Sequence, residues 1–284
     1  MGNNETALRS ADRTSMQKVT IFLPFSRSWR IYPMAEQLAK MNYPCAVDFV
    51  IVIDNKDITE AQMHNAFAKY EVPGNIVAIH NTGNPGASEV NVGARRDRIT
   101  NVWKQAQKLI PEDTTLVFTI EDDTQIPENA LSALIQDYEN LEKNGAKVGL
   151  VSGIQVGRWG FKMIGAWRVD DPANLKVAET VPFTYKKILD KVDAAGFYCF
   201  ITPRHLFVSA EYVFNQFGAD VNYGLECRRK GFQNYIDWTI KTGHVMQQKT
   251  LWPDENVVVV KYELINGEWR RTAPTKPQKG KLSQ

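Results

Sequence analysis

The chain has 284 residues, of which 43% are apolar and 23% charged, with a net charge of +2. That length suits one large α/β domain with a full core, and the composition excludes disorder, collagen-like repeats and a disulfide scaffold. With 34 basic against 32 acidic residues, it lacks the basic excess expected where phosphate contacts alone provide affinity for nucleic acid. Three cysteines, Cys45, Cys199 and Cys227, are too few and scattered for a zinc site and odd in number, which fits a reducing cytoplasm. Residues 1–17 are polar and lack a signal peptide's apolar core, and no apolar run reaches the length of a membrane span. Met1-Gly2 with Thr6 matches a myristoylation pattern too short to outweigh this.

The first strand is expected at Val19–Leu23, stopped by Pro24, with a helix at Pro33–Met41. Val47–Ile53 is a largely apolar run ending on Asp54-Asn55, as in a parallel strand covered on both faces. A helix at Ala61–Tyr70 and a strand at Ile76–Ile79 continue the alternation, and the Gly, Pro and Asn of 81–88 predict a loop. Ile99, Val102, Trp103, Ala106, Leu109 and Ile110 fall on one face of a long helix. The strand Leu116–Ile120 runs into Glu121-Asp122-Asp123, and Leu131, Leu134, Ile135 and Tyr138 mark a helix beginning near Pro127. To this point the pattern predicts a doubly wound, mostly parallel α/β layer with flanking helices.

The second half is less regular. Strands are expected at Val148–Val151, Ala194–Thr202, Tyr235–Asp237 and Val257–Tyr262, and a helix at Asp220–Lys230. No repeat or linker interrupts the chain, so one domain is expected over 18–262, with halves 18–127 and 128–262. It lies between the polar segment 1–17 and a basic tail, 263–284, that carries Arg270, Arg271, Lys276, Lys279 and Lys281.

Ligands of open α/β sheets bind beyond the carboxyl ends of the strands, where Glu121, Asp122 and Asp123 arrive together. Adjacent carboxylates repel unless a cation compensates, and Mg²⁺ or Mn²⁺ shared with phosphate oxygens meets that need. A solvated acidic turn is the alternative. Asp54 ends the second strand on the same edge and could accept from a ribose or a base, or simply form a turn. Arg95 and Arg98 open the long helix where cations oppose its dipole, so they either meet a diphosphate or pair with Glu89 or Asp97.

Taken in order, the strand ending at Pro24, Val52-Ile53-Asp54-Asn55, the Ala94-Arg95 helix start and Phe118-Thr119-Ile120 before Glu121-Asp122-Asp123 resemble the nucleotide-sugar half of family 2 glycosyltransferases, which have the GT-A fold. The resemblance implies that Asp123 is the metal ligand, Asp122 a ribose neighbour, and Glu121 the residue standing where the first aspartate of Asp-x-Asp usually does. Val192 to Phe197, Pro203-Arg204, Gly218 to Tyr223, Arg228 to Phe232 and Tyr235-Ile236-Asp237 are similar to that family's acceptor half. Asp220 then matches the general base, with Ala219 where the family carries an acid. His244, after Thr242-Gly243, matches a histidine that completes the metal shell and would tilt the choice toward Mn²⁺ over Mg²⁺.

The resemblance implies a soluble transferase that moves a sugar from a nucleoside diphosphate sugar, with a uridine diphosphate sugar as the expected donor, to an acceptor hydroxyl. Acceptor contacts are expected from Gly157–Trp167 and Gly196–Tyr198, with Trp159, Trp167, Gly196 and Phe197 as candidates, or these aromatics pack a core. A saccharide and a hydroxymethylated DNA base both remain open as acceptors. Rival readings are a nucleotidyltransferase of similar fold and a non-catalytic carbohydrate- or nucleic-acid-binding module.

Overall fold

The computed structural model describes residues 18–82, 92–157, 162–184, 187–213, 218–266 and 268–271. The polar segment 1–17, most of the 81–88 loop, Trp159, the side chain of Arg95 and the tail beyond 271 lie outside the described residues.

In chain order the elements are β1 (Lys18–Phe25), α1 (Ile31–Ala39), β2 (Ala46–Ile53), α2 (Glu60–Lys69), β3 (Asn75–His80), α3 (Val92–Leu109), β4 (Leu116–Ile120), β5 (Thr124–Gln125), α4 (Ala130–Lys143) and β6 (Val148–Ile154). There follow β7 (Ala166–Val169), β8 (Val177–Thr180), β9 (Leu189–Val192), β10 (Ala194–Ala195), β11 (Cys199–Pro203), α5 (Arg204–Ser209), α6 (Ala219–Arg229), β12 (Gln233–Lys241), β13 (Gly243–Val245), β14 (Thr250–Leu251), β15 (Lys261–Ile265) and β16 (Glu268–Arg271).

An eight-stranded sheet in the order β3-β2-β1-β4-β11-β6-β12-β9 forms the centre. β1 is parallel to β2 and β4, whereas β11 runs antiparallel to both β4 and β6, and β9 antiparallel to β12. The sheet is therefore mostly parallel, with two reversed strands. Side chains alternate across it. Val19, Ile21, Leu23 and Phe25 of β1 and Phe118 and Ile120 of β4 pack with Met34, Leu38, Phe67, Leu131 and Leu134 of α1, α2 and α4. Phe22, Val50, Val52 and Val117 meet Val102, Trp103 and Ala106 of α3 and Phe207 and Tyr223 of α5 and α6 on the other face. Burial on both sides explains the continuous apolar runs of β1 and β2. Among the described residues, no helix is long and apolar enough to cross a membrane.

Local sequence sets the ends of elements. Thr59 and Gln62 close a reciprocal capping box that starts α2. Gly74, at φ +92°, makes the turn into β3 that a side chain would strain.

The second half differs from the sequence expectation in two places. Ala194–Thr202 is two strands in two sheets: β10 pairs with β7, and β11 with β4 and β6. The break falls at Gly196, where an added Cβ would stand 2.6 Å from the buried Tyr198 ring, so the chain turns around that ring. The strand expected at Val257–Tyr262 begins at Lys261, and its hairpin partner β16 contains Arg270 and Arg271. The first part of the expected basic tail is thus sheet, added to β8 and β7. Composition concealed it because β15 is partly exposed and β16 lies at the sheet's edge, and both are rich in charge.

Candidate active site

Strand order reverses at β1: β2 and β3 lie on one side, and β4 on the other. In open α/β sheets the ligand crevice lies beyond the carboxyl ends of the strands at such a point, here the tips of β1 and β4. Ser26 and Arg27 leave one tip, and Glu121, Asp122 and Asp123 leave the other.

Asp122 and Asp123 are each only 3% exposed and behave differently. Oδ2 of Asp122 accepts from the backbone N–H groups of Ser26 at 2.7 Å and Arg27 at 2.8 Å and from the Ser26 hydroxyl at 3.2 Å, and Oδ1 meets the Arg27 guanidinium. Burial pushes its pKa up while Arg27 holds it down. Asp122 therefore clamps the β1 and β4 tips together and has little left for a ribose, contrary to the expectation. Asp123 turns the other way. Its Oδ2 lies 2.7 Å from Nη2 of Arg27 and 3.2 Å from Nε2 of His244.

The acidic turn is held from beneath by α1 and the short 3₁₀ turn before it. The buried Arg30 donates to the carbonyls of Asp122 at 2.8 Å and Thr124 at 3.3 Å. Gln37 donates to the Thr124 carbonyl and accepts from the Ile126 N–H, both at 3.2 Å. His244 reaches this turn because β13 pairs with β5, setting His244 opposite Thr124, and the Val245 N–H donates to the Asp123 carbonyl at 2.7 Å.

The His244 ring is oriented by its far nitrogen. Nδ1 lies 2.9 Å from the Val156 carbonyl, which only accepts, so Nδ1 carries the proton. Nε2 then presents a lone pair toward a carboxylate oxygen, an arrangement that a cation between them would satisfy. Two ligands about 2.1 Å from one ion and roughly at right angles stand about 3 Å apart, close to the observed spacing. Asp123 and His244 thus fit a divalent cation. Among the described residues there is no group of three His, Cys, Asp or Glu side chains that could hold a metal, so other oxygens would have to complete the shell.

Glu121 and Asp220 bring the remaining charge. Burial raises the pKa of Glu121 well above the usual carboxylate range, and the nearby charges of Asp123 and Asp220 add to it. Asp220 sits in the first turn of α6, where its Oδ1 accepts from the Val221 N–H at 2.9 Å, and burial lifts its pKa to about 6. α6 comes this close because Gly224 leaves room: a Cβ there would lie 2.6 Å from Cα of Ala194. Carboxylates from β4 and α6, far apart in sequence, so share one neighbourhood.

The other expected contacts are placed as follows. Asp54 and Arg98 pair with each other at 2.6 Å, and Asn81 donates to Asp54 at 2.9 Å. Burial raises the Asp54 pKa against these partners. This knot closes the ends of β2 and β3 beside the crevice, and Arg98 pairs with Asp54 where the pairing alternative names Glu89 or Asp97. Pro24 is the half-buried penultimate residue of β1, opposite Val52.

Three acceptor candidates make packing contacts. Phe197 is buried and stacks on Trp103 with centroids 3.7 Å apart, so its face is taken by the core. Gly196 makes space for the Tyr198 ring, and Trp167 lies against Ala178, Ala194, Val221 and Leu225.

Sequence reasoning missed Arg27 and Arg30. Their signal was present: a Ser-Arg-Ser-Trp-Arg run directly follows the first strand, whose tip must neighbour that of β4 in the expected topology. Gln155, donating to the Thr124 hydroxyl at 3.0 Å, gave no such signal.

A scan against protein families and a search of curated proteins found no match. Among solved structures, A197 from STIV shares 14% identity over 85% of this chain and 96% of its own, with a TM-score of 0.46. A 4-diphosphocytidyl-2C-methyl-D-erythritol synthase from Anaerococcus prevotii shares 11% identity over 78% of this chain and 86% of its own, with a TM-score of 0.44. Similarity of this degree identifies no reaction, and the functional reading rests on the residues.

Proposed function

We propose that the chain is a GT-A type glycosyltransferase that moves a sugar from a nucleoside diphosphate sugar to an acceptor hydroxyl. The observation that carries this reading is the gathering, around Glu121 at the end of β4, of Asp123, which faces His244, and of Asp220 from α6. Asp123 and His244 would hold Mn²⁺ or Mg²⁺, which when bound supplies positive charge against the two phosphates. Imidazole favours manganese.

Asp220 is the general base. Its carboxylate takes the proton from the acceptor hydroxyl as that oxygen bonds to the anomeric carbon. The bond from that carbon to the phosphate oxygen breaks, and the nucleoside diphosphate leaves with the electron pair. A pKa near 6 leaves Asp220 mostly ionised at neutrality yet basic enough to accept the proton. The helix N-terminus further favours the charged form. Attack from the face opposite the leaving group inverts the anomeric configuration.

The test is calorimetric titration of the full chain with uridine, cytidine and guanosine diphosphates and their sugar conjugates, each with and without Mn²⁺, followed by product stereochemistry by NMR with saccharide and hydroxymethylated DNA acceptors. Cation-assisted binding of a sugar nucleotide supports the reading. Uptake of nucleoside triphosphates alone, with release of pyrophosphate, would replace it with nucleotidyl transfer.

A further inference from the structure

The second of two arginines beside the acidic turn differs from the first in kind. Arg30 is buried, and its guanidinium is committed to two backbone carbonyls. Arg27 has a side chain that remains 24% exposed, and its guanidinium spans Asp122 and Asp123. Its backbone is held independently, because the Arg27 and Ser26 N–H groups donate to Asp122. The side chain can therefore leave without loosening the turn. Asp122 would keep its two backbone donors, so no buried carboxylate loses all its partners.

Asp123 presents a single oxygen, Oδ2, to two groups: Nη2 of Arg27 at 2.7 Å and Nε2 of His244 at 3.2 Å. A cation ligated by that oxygen and that nitrogen would stand within a few ångströms of the guanidinium, where two positive charges in a low-dielectric crevice repel strongly. The guanidinium and the cation are competitors for one oxygen. A diphosphate entering the same crevice brings two or more negative charges, and a planar guanidinium matches phosphate oxygens with two parallel donors.

Building on the glycosyl-transfer reading above, we propose that Arg27 is a counter-ion switch. It neutralises Asp123 in the absence of donor, yields that oxygen to the divalent cation, and turns outward to grip the diphosphate. Arg27 is thus a positioning residue that makes cation and nucleotide binding cooperative, since each ligand removes an obstacle to the other.

The proposal makes predictions of opposite sign, read by calorimetry of Mn²⁺ alone, of uridine diphosphate (UDP) alone, and of UDP at saturating Mn²⁺. Arg27→Gln should bind Mn²⁺ alone roughly ten- to a hundredfold more tightly than the parent chain. It should bind UDP at saturating Mn²⁺ on the order of tenfold or more weakly. Arg27→Lys, which keeps the charge but loses the fork, should shift both affinities in the same directions by less, and it carries the test should the glutamine variant fail to fold. Unchanged Mn²⁺ affinity in both variants, or weaker Mn²⁺ binding in either, overturns the switch while leaving the glycosyl-transfer reading intact. If the parent chain itself takes up no UDP with Mn²⁺, both proposals fall together.

Discussion

His244 and Asp123 face each other across 3.2 Å, ring nitrogen against carboxylate oxygen, with the imidazole locked by the Val156 carbonyl. A divalent cation between them would be a partner to both. Replacing His244 by Ala should weaken Mn²⁺ binding in the presence of UDP by roughly ten- to a hundredfold. It should also narrow the preference for Mn²⁺ over Mg²⁺, because the softer ligand is the one removed. Calorimetric titration with both metals checks this, and an unchanged Mn²⁺ affinity removes His244 from the shell.

Asp220 must be ionised to accept a proton. Its pKa, raised to about 6 by burial, predicts that kcat/KM climbs as pH rises through 6 and levels off near 7. Asp220→Asn should cut kcat by about 10² to 10⁴-fold while leaving UDP affinity within a factor of a few. A variant that loses nucleotide binding in proportion to kcat would show that Asp220 holds the donor instead.

The Phe197 ring stacks on Trp103 at 3.7 Å and belongs to the core. Phe197→Ala should therefore lower the unfolding free energy by about 3 to 5 kcal/mol. Chemical denaturation measures this directly. A loss below about 1 kcal/mol, with a raised KM for acceptor, would restore the ring to the acceptor site.

Away from the crevice, Asp137 on α4 shares a hydrogen bond with the buried Asp237 on β12. Burial first, and then that neighbour, push the Asp137 pKa from 3.8 to about 7. The folded state thus holds a proton that the unfolded chain releases. The stabilisation is full below pH 4 and fades as pH rises through 7. Asp137→Asn keeps a donor toward Asp237 without needing a proton. Relative to the parent chain, its Tm at pH 8 should be higher by about 2 to 4 °C per kcal/mol recovered, and the gap should narrow as pH falls and close near pH 4. Parallel Tm curves across that range would rule the shared proton out.

The first half of the molecule was legible because both faces of its strands are covered. Val47–Ile53 reads as a strand buried on both faces, and the acidic triplet follows directly on the apolar run Leu116–Ile120, which places it at that strand's tip. The second half was not, for reasons visible in particular residues. Tyr198 needs a turn inside an apolar run that reads as continuous strand, and β15 and β16 carry charges that mask any strand alternation. The meeting of His244 with Asp123 depends on β5 pairing with β13, and that of Asp220 with Glu121 on the close approach of α6 at Gly224, both of them tertiary. Asp122 misled because its type suits a ligand, while its partners are the backbone of Ser26 and Arg27.

The reversed strand β11, threaded between β4 and β6, also governs how the molecule comes into being. Cys199 pairs with Ile120 and Phe200 with Ser152, so β4 waits for a partner synthesised much later. Long-range pairing of this kind slows folding, and until it completes the nascent chain carries an apolar strand edge open to other chains. The crevice cannot be matured in its first half and embellished by the second: translation must pass Pro203 before the wall behind the acidic turn exists.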